Sequence, residues 1–114
     1  MNGTELILLY DYYGALLTER QKLCFEMRYH QDLSLGEIGE ELGISRQGVH
    51  DNLSRTEALL SKMEEKTGCM RRDLACRKAS KQILEIAQHL SENTDPQVSA
   101  MAAEIVAVAQ TLGE

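Results

Sequence analysis

Between residues 34 and 55 the chain reads SLGEIGEELGISRQGVHDNLSR, and few arrangements satisfy all of it. Ser34-Leu35-Gly36-Glu37 is a capping box, in which the first and last side chains satisfy each other's free backbone amides. It opens a short helix with Leu35, Ile38 and Leu42 on one side. Gly43 ends that helix, because a left-handed residue there needs no Cβ. Ser45 caps a further helix that starts at Arg46 and turns Val49 and Leu53 inward. Two helices joined by so tight a turn cross steeply, and a close crossing needs a small residue in the middle of the first; Gly39 supplies it. Ile38, Leu42, Ile44, Val49 and Leu53 can then pin both helices to a third. The stretch predicts a helix-turn-helix.

The flanking sequence supplies the third helix. Thr18-Glu19-Arg20-Gln21 is another capping box, and the helix it opens runs to about Tyr29 or His30, with Leu23, Cys24 and Met27 expected inside. Upstream, Leu6, Leu9, Tyr10 and Tyr13 recur at i, i+3, i+4, i+7, one face of an N-terminal helix that Gly14 weakens at its end. Downstream, the helix from Arg46 has room to continue through Leu60 and Met63 to a break at Thr67-Gly68. From Cys69 to Leu90, Cys69, Cys76, Ile83 and Leu90 fall at seven-residue steps with Ala79 and Ile86 between them, a heptad-like seam. Asp95-Pro96 reads as cap and first residue of a last helix, with Val98, Met101, Ala102, Ile105, Ala109 and Leu112 on one face. No stretch carries a strand signal. The predicted fold is all-α, with residues 1–66 as a helix-turn-helix domain and 67–114 as a C-terminal helical hairpin, packed on that domain or on a dimer partner.

Composition narrows the function. At 114 residues and 12.8 kDa there is room for one modest core. The net charge of −6 excludes a basic coat for nucleic acid or membrane, and no run reaches the ~18–20 apolar residues of a membrane span. The N-terminus does not read as a signal peptide. Three cysteines, without a CxxC, fit reduced thiols and a cytoplasmic location. His30, His50 and His89 lack partners at ligand or catalytic spacing, so neither enzyme, metal site nor cofactor is expected. Cys69, at a helix start, is the one thiol with a route to reactivity. Net positive charge is confined to residues 64–90, where six basic groups meet four acidic ones.

In a DNA-reading helix-turn-helix the second helix enters the major groove with its first turns against base edges. Here that surface would present Arg46, Gln47, His50, Asp51, Ser54 and Arg55. Arg46 and Gln47 suit guanine and adenine respectively, and Ser54 and Arg55 can reach phosphate. Asp51 opposes this, since a carboxylate there faces phosphates. Arg71, Arg72 and Arg77, with Lys78 and Lys81, form a second candidate contact with a nucleic-acid backbone. The alternatives are a protein-docking helix and a solvated basic face.

The run SLGEIGEELGISRQGVHDNLSRTEALL resembles region four of bacterial sigma factors. With its leader YDYYGALLTERQ and the following RTEALLSKMEEK, it is more similar still to the YlxM family of small bacterial helix-turn-helix proteins, over roughly residues 6–66. Gly39 and Gly48 depart from the Ala expected there, and residues 70–114 carry no matching motif. The resemblance implies a sigma factor region four-like fold and a DNA-binding or regulatory role. It also implies a link to the signal recognition particle pathway, because YlxM genes lie beside those of its GTPase components. Candidate partners are therefore DNA, signal recognition particle RNA, that particle's GTPase components and a second copy of the chain, with no membrane.

Overall fold

The computed structural model describes residues 2–113. Among them lie six α-helices and no strand: α1 (Gly3–Tyr13), α2 (Glu19–Tyr29), α3 (Leu35–Leu42), α4 (Arg46–Thr67), α5 (Cys69–Ser91) and α6 (Pro96–Gln110). The all-α reading is what the structure shows. Short 3₁₀ turns follow α1 at Gly14–Leu16 and α6 at Thr111–Gly113. The chain divides into two compact units, Met1–Met70 and Arg71–Glu114.

Each helix of the first unit begins where a side chain satisfies its free amides. Asn2 accepts from Glu5 N–H at 2.8 Å at the head of α1. Both capping boxes form, Thr18 with Gln21 and Ser34 with Glu37. The amide and hydroxyl of Ser34 hold the Glu37 carboxyl below its ordinary value. Ser45 accepts from Gly48 N–H at 3.0 Å to start α4.

Two apolar clusters fill this unit. Leu6, Leu9, Tyr13, Leu17, Phe25 and Leu60 join α1, α2 and the middle of α4. Cys24, Ile38, Val49 and Leu53 join α2, α3 and the start of α4. Helix α2 therefore turns two adjacent residues inward, Cys24 to one cluster and Phe25 to the other. That rotation carries Leu23, expected inside, outward to 41% exposure, and puts Phe25 at the centre. Tyr10 stacks on Phe25 with ring centroids 4.4 Å apart and planes 7° from parallel, and Tyr29 closes the other side at 4.5 Å. Burial also pushes the Cys24 thiol above its ordinary value, so it packs as a small apolar residue.

Three tyrosine hydroxyls at the edge of this core donate to carboxylates on neighbouring helices. Tyr10 bonds Glu26 at 2.6 Å, joining α1 to α2. Tyr29 bonds Glu57 at 2.5 Å, joining α2 to α4. Tyr13 bonds Glu64 at 2.6 Å, joining α1 to the last turns of α4. Glu64 also accepts from Met70 N–H at 2.9 Å, so the same carboxylate holds the first residues of α5.

The second unit is built differently. Ser80 Oγ donates to the Ala109 carbonyl at 3.0 Å, and Ser99 Oγ to the Ser91 carbonyl at 3.2 Å, which fixes α5 and α6 as an antiparallel hairpin. In that register Ala87 falls opposite Ala102, and Ser80, Ala87, Ala102 and Ala109 are its buried residues. The predicted α5 seam is therefore not the one used inside the hairpin: Cys76, Ile83, Ile86 and Leu90 are exposed, as are Met101, Ile105 and Leu112 of the α6 stripe. A serine hydroxyl reaches a carbonyl on the facing helix only where the backbones come close, and close approach selects small residues.

Two outcomes follow from this packing. A Cβ at Gly39 would stand 2.7 Å from the Ile44 carbonyl oxygen, a backbone atom that cannot swing aside. Gly39→Ala therefore lowers stability by about 1–3 kcal/mol, measured by denaturant midpoint, although alanine favours a helix interior by up to about 1 kcal/mol. Burial, and then the hydrogen bonds to Glu26 and Glu57, push Tyr10 and Tyr29 from the ordinary value near 10 up to about 12. A raised folded-state value makes the stabilisation complete below the unfolded value and lost above it. Thermal stability is expected to fall as pH rises from about 10 to about 12, and Tyr29→Phe to flatten that fall.

Candidate nucleic-acid interface

The turn between α3 and α4 sets the direction of α4. Gly43 takes φ 70° and ψ 32°, a conformation that strains residues with a Cβ, and Ile44 N–H returns to the Gly39 carbonyl at 3.0 Å. The chain leaves this turn through Ser45 directly into α4. Ile38 of α3 and Val49 and Leu53 of α4 meet Cys24 of α2 beneath it. With Val49, Leu53, Thr56 and Leu60 buried, helical periodicity forces the residues between them outward.

Arg46, Gln47, His50, Ser54 and Arg55, the α4 residues read from sequence as contacts, are accordingly all exposed, and so is Asp51. They share the first three turns. Arg46 lies back over α3: its Cδ would stand 3.8 Å from a Cβ placed at Gly36. Gln47 Nε2 donates to Asp51 Oδ1 at 3.0 Å, and His50 Nδ1 lies 3.7 Å from the same oxygen. Asp51 is thus the hub of this face. It engages the Gln47 amide along the helix. A polar cleft of about 400 Å³ opens beside it, lined by Thr18, which caps α2, by Gln21 of α2 and by Gly48, Asp51, Asn52 and Arg55 of α4. This cleft was not foreseen; the signal for it was the capping box at Thr18, which places polar side chains at the end of α2 nearest α4.

Arg71, Arg72 and Arg77 are exposed on α5 and belong to the other unit. Steps of one and five residues spread them round the helix instead of along one side. Arg77 Nε pairs with Asp73 Oδ2 at 3.1 Å, one turn back. The residues that share a side by spacing are Arg71, Lys78 and Lys81, with Glu85 among them.

Electrostatically, the α3–α4 surface is mixed. Glu37, Glu40 and Glu41 are exposed on α3, against Arg46 and Arg55 on α4. Among the described residues no group of three His, Cys, Asp or Glu side chains is placed to hold a metal ion. No helix among them is long and apolar enough to cross a membrane.

Fold and turn geometry together define a helix-turn-helix protein. A family model described as "Putative helix-turn-helix protein, YlxM / p13 like" matches residues 2–101, and the chain belongs to that family, UPF0122. A UPF0122 protein of Thermoanaerobacter sp. (strain X514) is 58% identical over 67 residues, 59% of this chain and 57% of that protein. One from Caldanaerobacter subterraneus subsp. tengcongensis is 51% identical over 80 residues, 70% and 68% of the two chains. One from Halalkalibacterium halodurans is 42% identical over 104 residues, 91% of this chain and 87% of that protein. Matched length thus runs from little more than half of the first relative to most of the last. The family description is of helix-turn-helix proteins, not of an enzyme.

The Gln47–Asp51 bond is an exposed i, i+4 pair, worth ~0.2–0.5 kcal/mol. Asp51→Ala is therefore expected to change thermal stability by no more than that, while shifting the Gln47 side-chain amide resonances in an ¹⁵N-resolved spectrum.

Proposed function

We propose that this chain is a non-enzymatic cytoplasmic regulator that binds nucleic acid through the first turns of α4. The observation that carries this reading is the exposed cluster of Arg46, Gln47, His50, Ser54 and Arg55, held by a rigid glycine turn on the helix that such proteins insert in the major groove. In this reading Arg46 swings off α3 to take a guanine edge, and Gln47 exchanges Asp51 for an adenine. Ser54 and Arg55 contact phosphate, with the cleft beside Arg55 admitting the backbone. Arg71, Arg72 and Arg77 of the C-terminal helical appendage assist through phosphate contacts, and a homodimer would present two such helices to paired half-sites.

A second reading is favoured by the acids on the same surface. Glu40 and Glu41 on α3, Asp51 on α4 and a net charge of −6 suit a basic protein better than a polyanion. In this alternative the chain is an accessory protein of the signal recognition particle pathway. It docks on the particle's GTPase through this acidic surface, or on its RNA through Arg71, Arg72 and Arg77, without reading a DNA sequence.

Fluorescence anisotropy separates the two. Duplexes selected from a random library, signal recognition particle RNA and the particle's GTPase are titrated across a salt series. In the first reading the selected duplex binds best and Arg46→Ala costs ~1–3 kcal/mol, whereas Arg55→Ala weakens all duplexes alike and reduces the salt slope by about one. Unchanged affinity in Arg46→Ala rules out base reading by that residue. In the second reading RNA or GTPase binding exceeds duplex binding, and reversing Arg71, Arg72 and Arg77 together abolishes it while the far-UV spectrum stays unchanged.

A further inference from the structure

We propose that the α5–α6 hairpin pairs with the same hairpin of a second copy of this chain, through a single apolar face to which both helices contribute. This concerns the second unit alone and does not depend on what α4 binds.

The hairpin's own seam is thin. Ser80, Ala87, Ala102 and Ala109 are buried, and only Leu84, Val98 and Val106 add larger apolar side chains, each half-buried. Most of the large apolar residues are elsewhere. Ile83, Ile86 and Leu90 on α5, and Met101, Ile105, Val108 and Leu112 on α6, are between 40% and 63% exposed. Their steps are three and four residues on α5, and four, three and four on α6, the alternation by which a helix packs along another helix. The heptad seam legible in the α5 sequence therefore lies to one side of the contact with α6.

The two stripes lie on one side. At 3.6 residues per turn, each is set about a quarter-turn back from the buried seam of its own helix. Because α5 and α6 run antiparallel, a backward quarter-turn on one and a backward quarter-turn on the other reach the same side of the hairpin. Cys76 and Ala79 prolong the face along α5. Arg77, Lys78, Lys81 and Glu85 fall on the other sides of α5, so the middle of the face carries no charge.

Size and permanence identify the occupant. The seven large side chains expose roughly 600 Å² together, the upper limit for one patch on a monomer, and two such faces stacked would bury roughly 1,200 Å², the extent of a specific interface. A face of this extent needs cover whenever the hairpin is folded, and another copy of the chain supplies a face of the same size and the same chemistry. An uncharged, two-helix face meets its own image about a two-fold axis without repulsion, and the product is a four-helix bundle.

Sedimentation equilibrium of the full chain, without nucleic acid, tests this. The expected mass is twice 12.8 kDa. Ile86→Glu combined with Val108→Glu should give the single-chain mass, whereas Lys78→Glu, on the charged side, should leave the pair intact. Because a freed hairpin can unfold, Ile86→Ala with Val108→Ala is measured alongside; it should raise the dissociation constant about tenfold or more, with unchanged far-UV ellipticity where the pair persists. A wild-type chain of single mass from micromolar to millimolar concentration overturns the proposal. So does a pair that survives the two glutamates, or a dissociation constant that the two alanines leave unmoved.

Discussion

The arrangement of the first unit depends on one stack of rings. Phe25, fully buried between Tyr10 and Tyr29, brings α1 and α2 together, and it leaves each flanking tyrosine with its hydroxyl at the rim. A rim hydroxyl that is partly desolvated needs an acceptor, and Glu26 and Glu57 provide it. Tyr13 repeats the device with Glu64, which at the same time receives the amide of Met70. An apolar centre with polar latches at its edge gives directionality to a core that hydrophobic burial alone would leave free to slide. The carboxylates engaged this way also account for part of the chain's acidity without placing it on the α3–α4 surface.

On that platform α3 and α4 sit in one orientation. The carbonyl of Ile44 occupies the space that any side chain at position 39 would need, and Gly43 supplies the left-handed turn. Together they fix the direction in which α4 starts, with Val49 and Leu53 packed on Cys24. The chemistry of the outward face is more conditional than its position. Asp51 already engages Gln47, so that side chain must exchange an existing hydrogen bond for a base, and Arg46 lies over Gly36 of α3.

The second unit shows how a helix can carry two stripes a quarter-turn apart. Apolar periodicity in α5 was plain from Cys76, Ile83 and Leu90, yet the hairpin closes on Ser80 and Ala87. Periodicity reports that a face will be covered; it does not say by which helix. The same limit explains Leu23. Its hydrophobicity suggested burial, but α2 serves two clusters at once, and the adjacent pair Cys24 and Phe25 already takes the inward sector.

Local chemistry was therefore readable from the residues themselves. The capping boxes at Thr18 and Ser34, the Ser45 cap, the glycines at 39 and 43 and the Asp95-Pro96 start each act within a few residues of chain, so spacing suffices to place them. The outward residues of α4 were legible for the same reason, once the helix start and inner face were set. Tertiary structure decided what spacing cannot encode: that Phe25 is the centre, that three tyrosines find carboxylates as many as 51 residues away, and which of two stripes closes the hairpin. Those outcomes depend on how closely whole helices approach, and that distance is set by side-chain size at positions far apart in the chain.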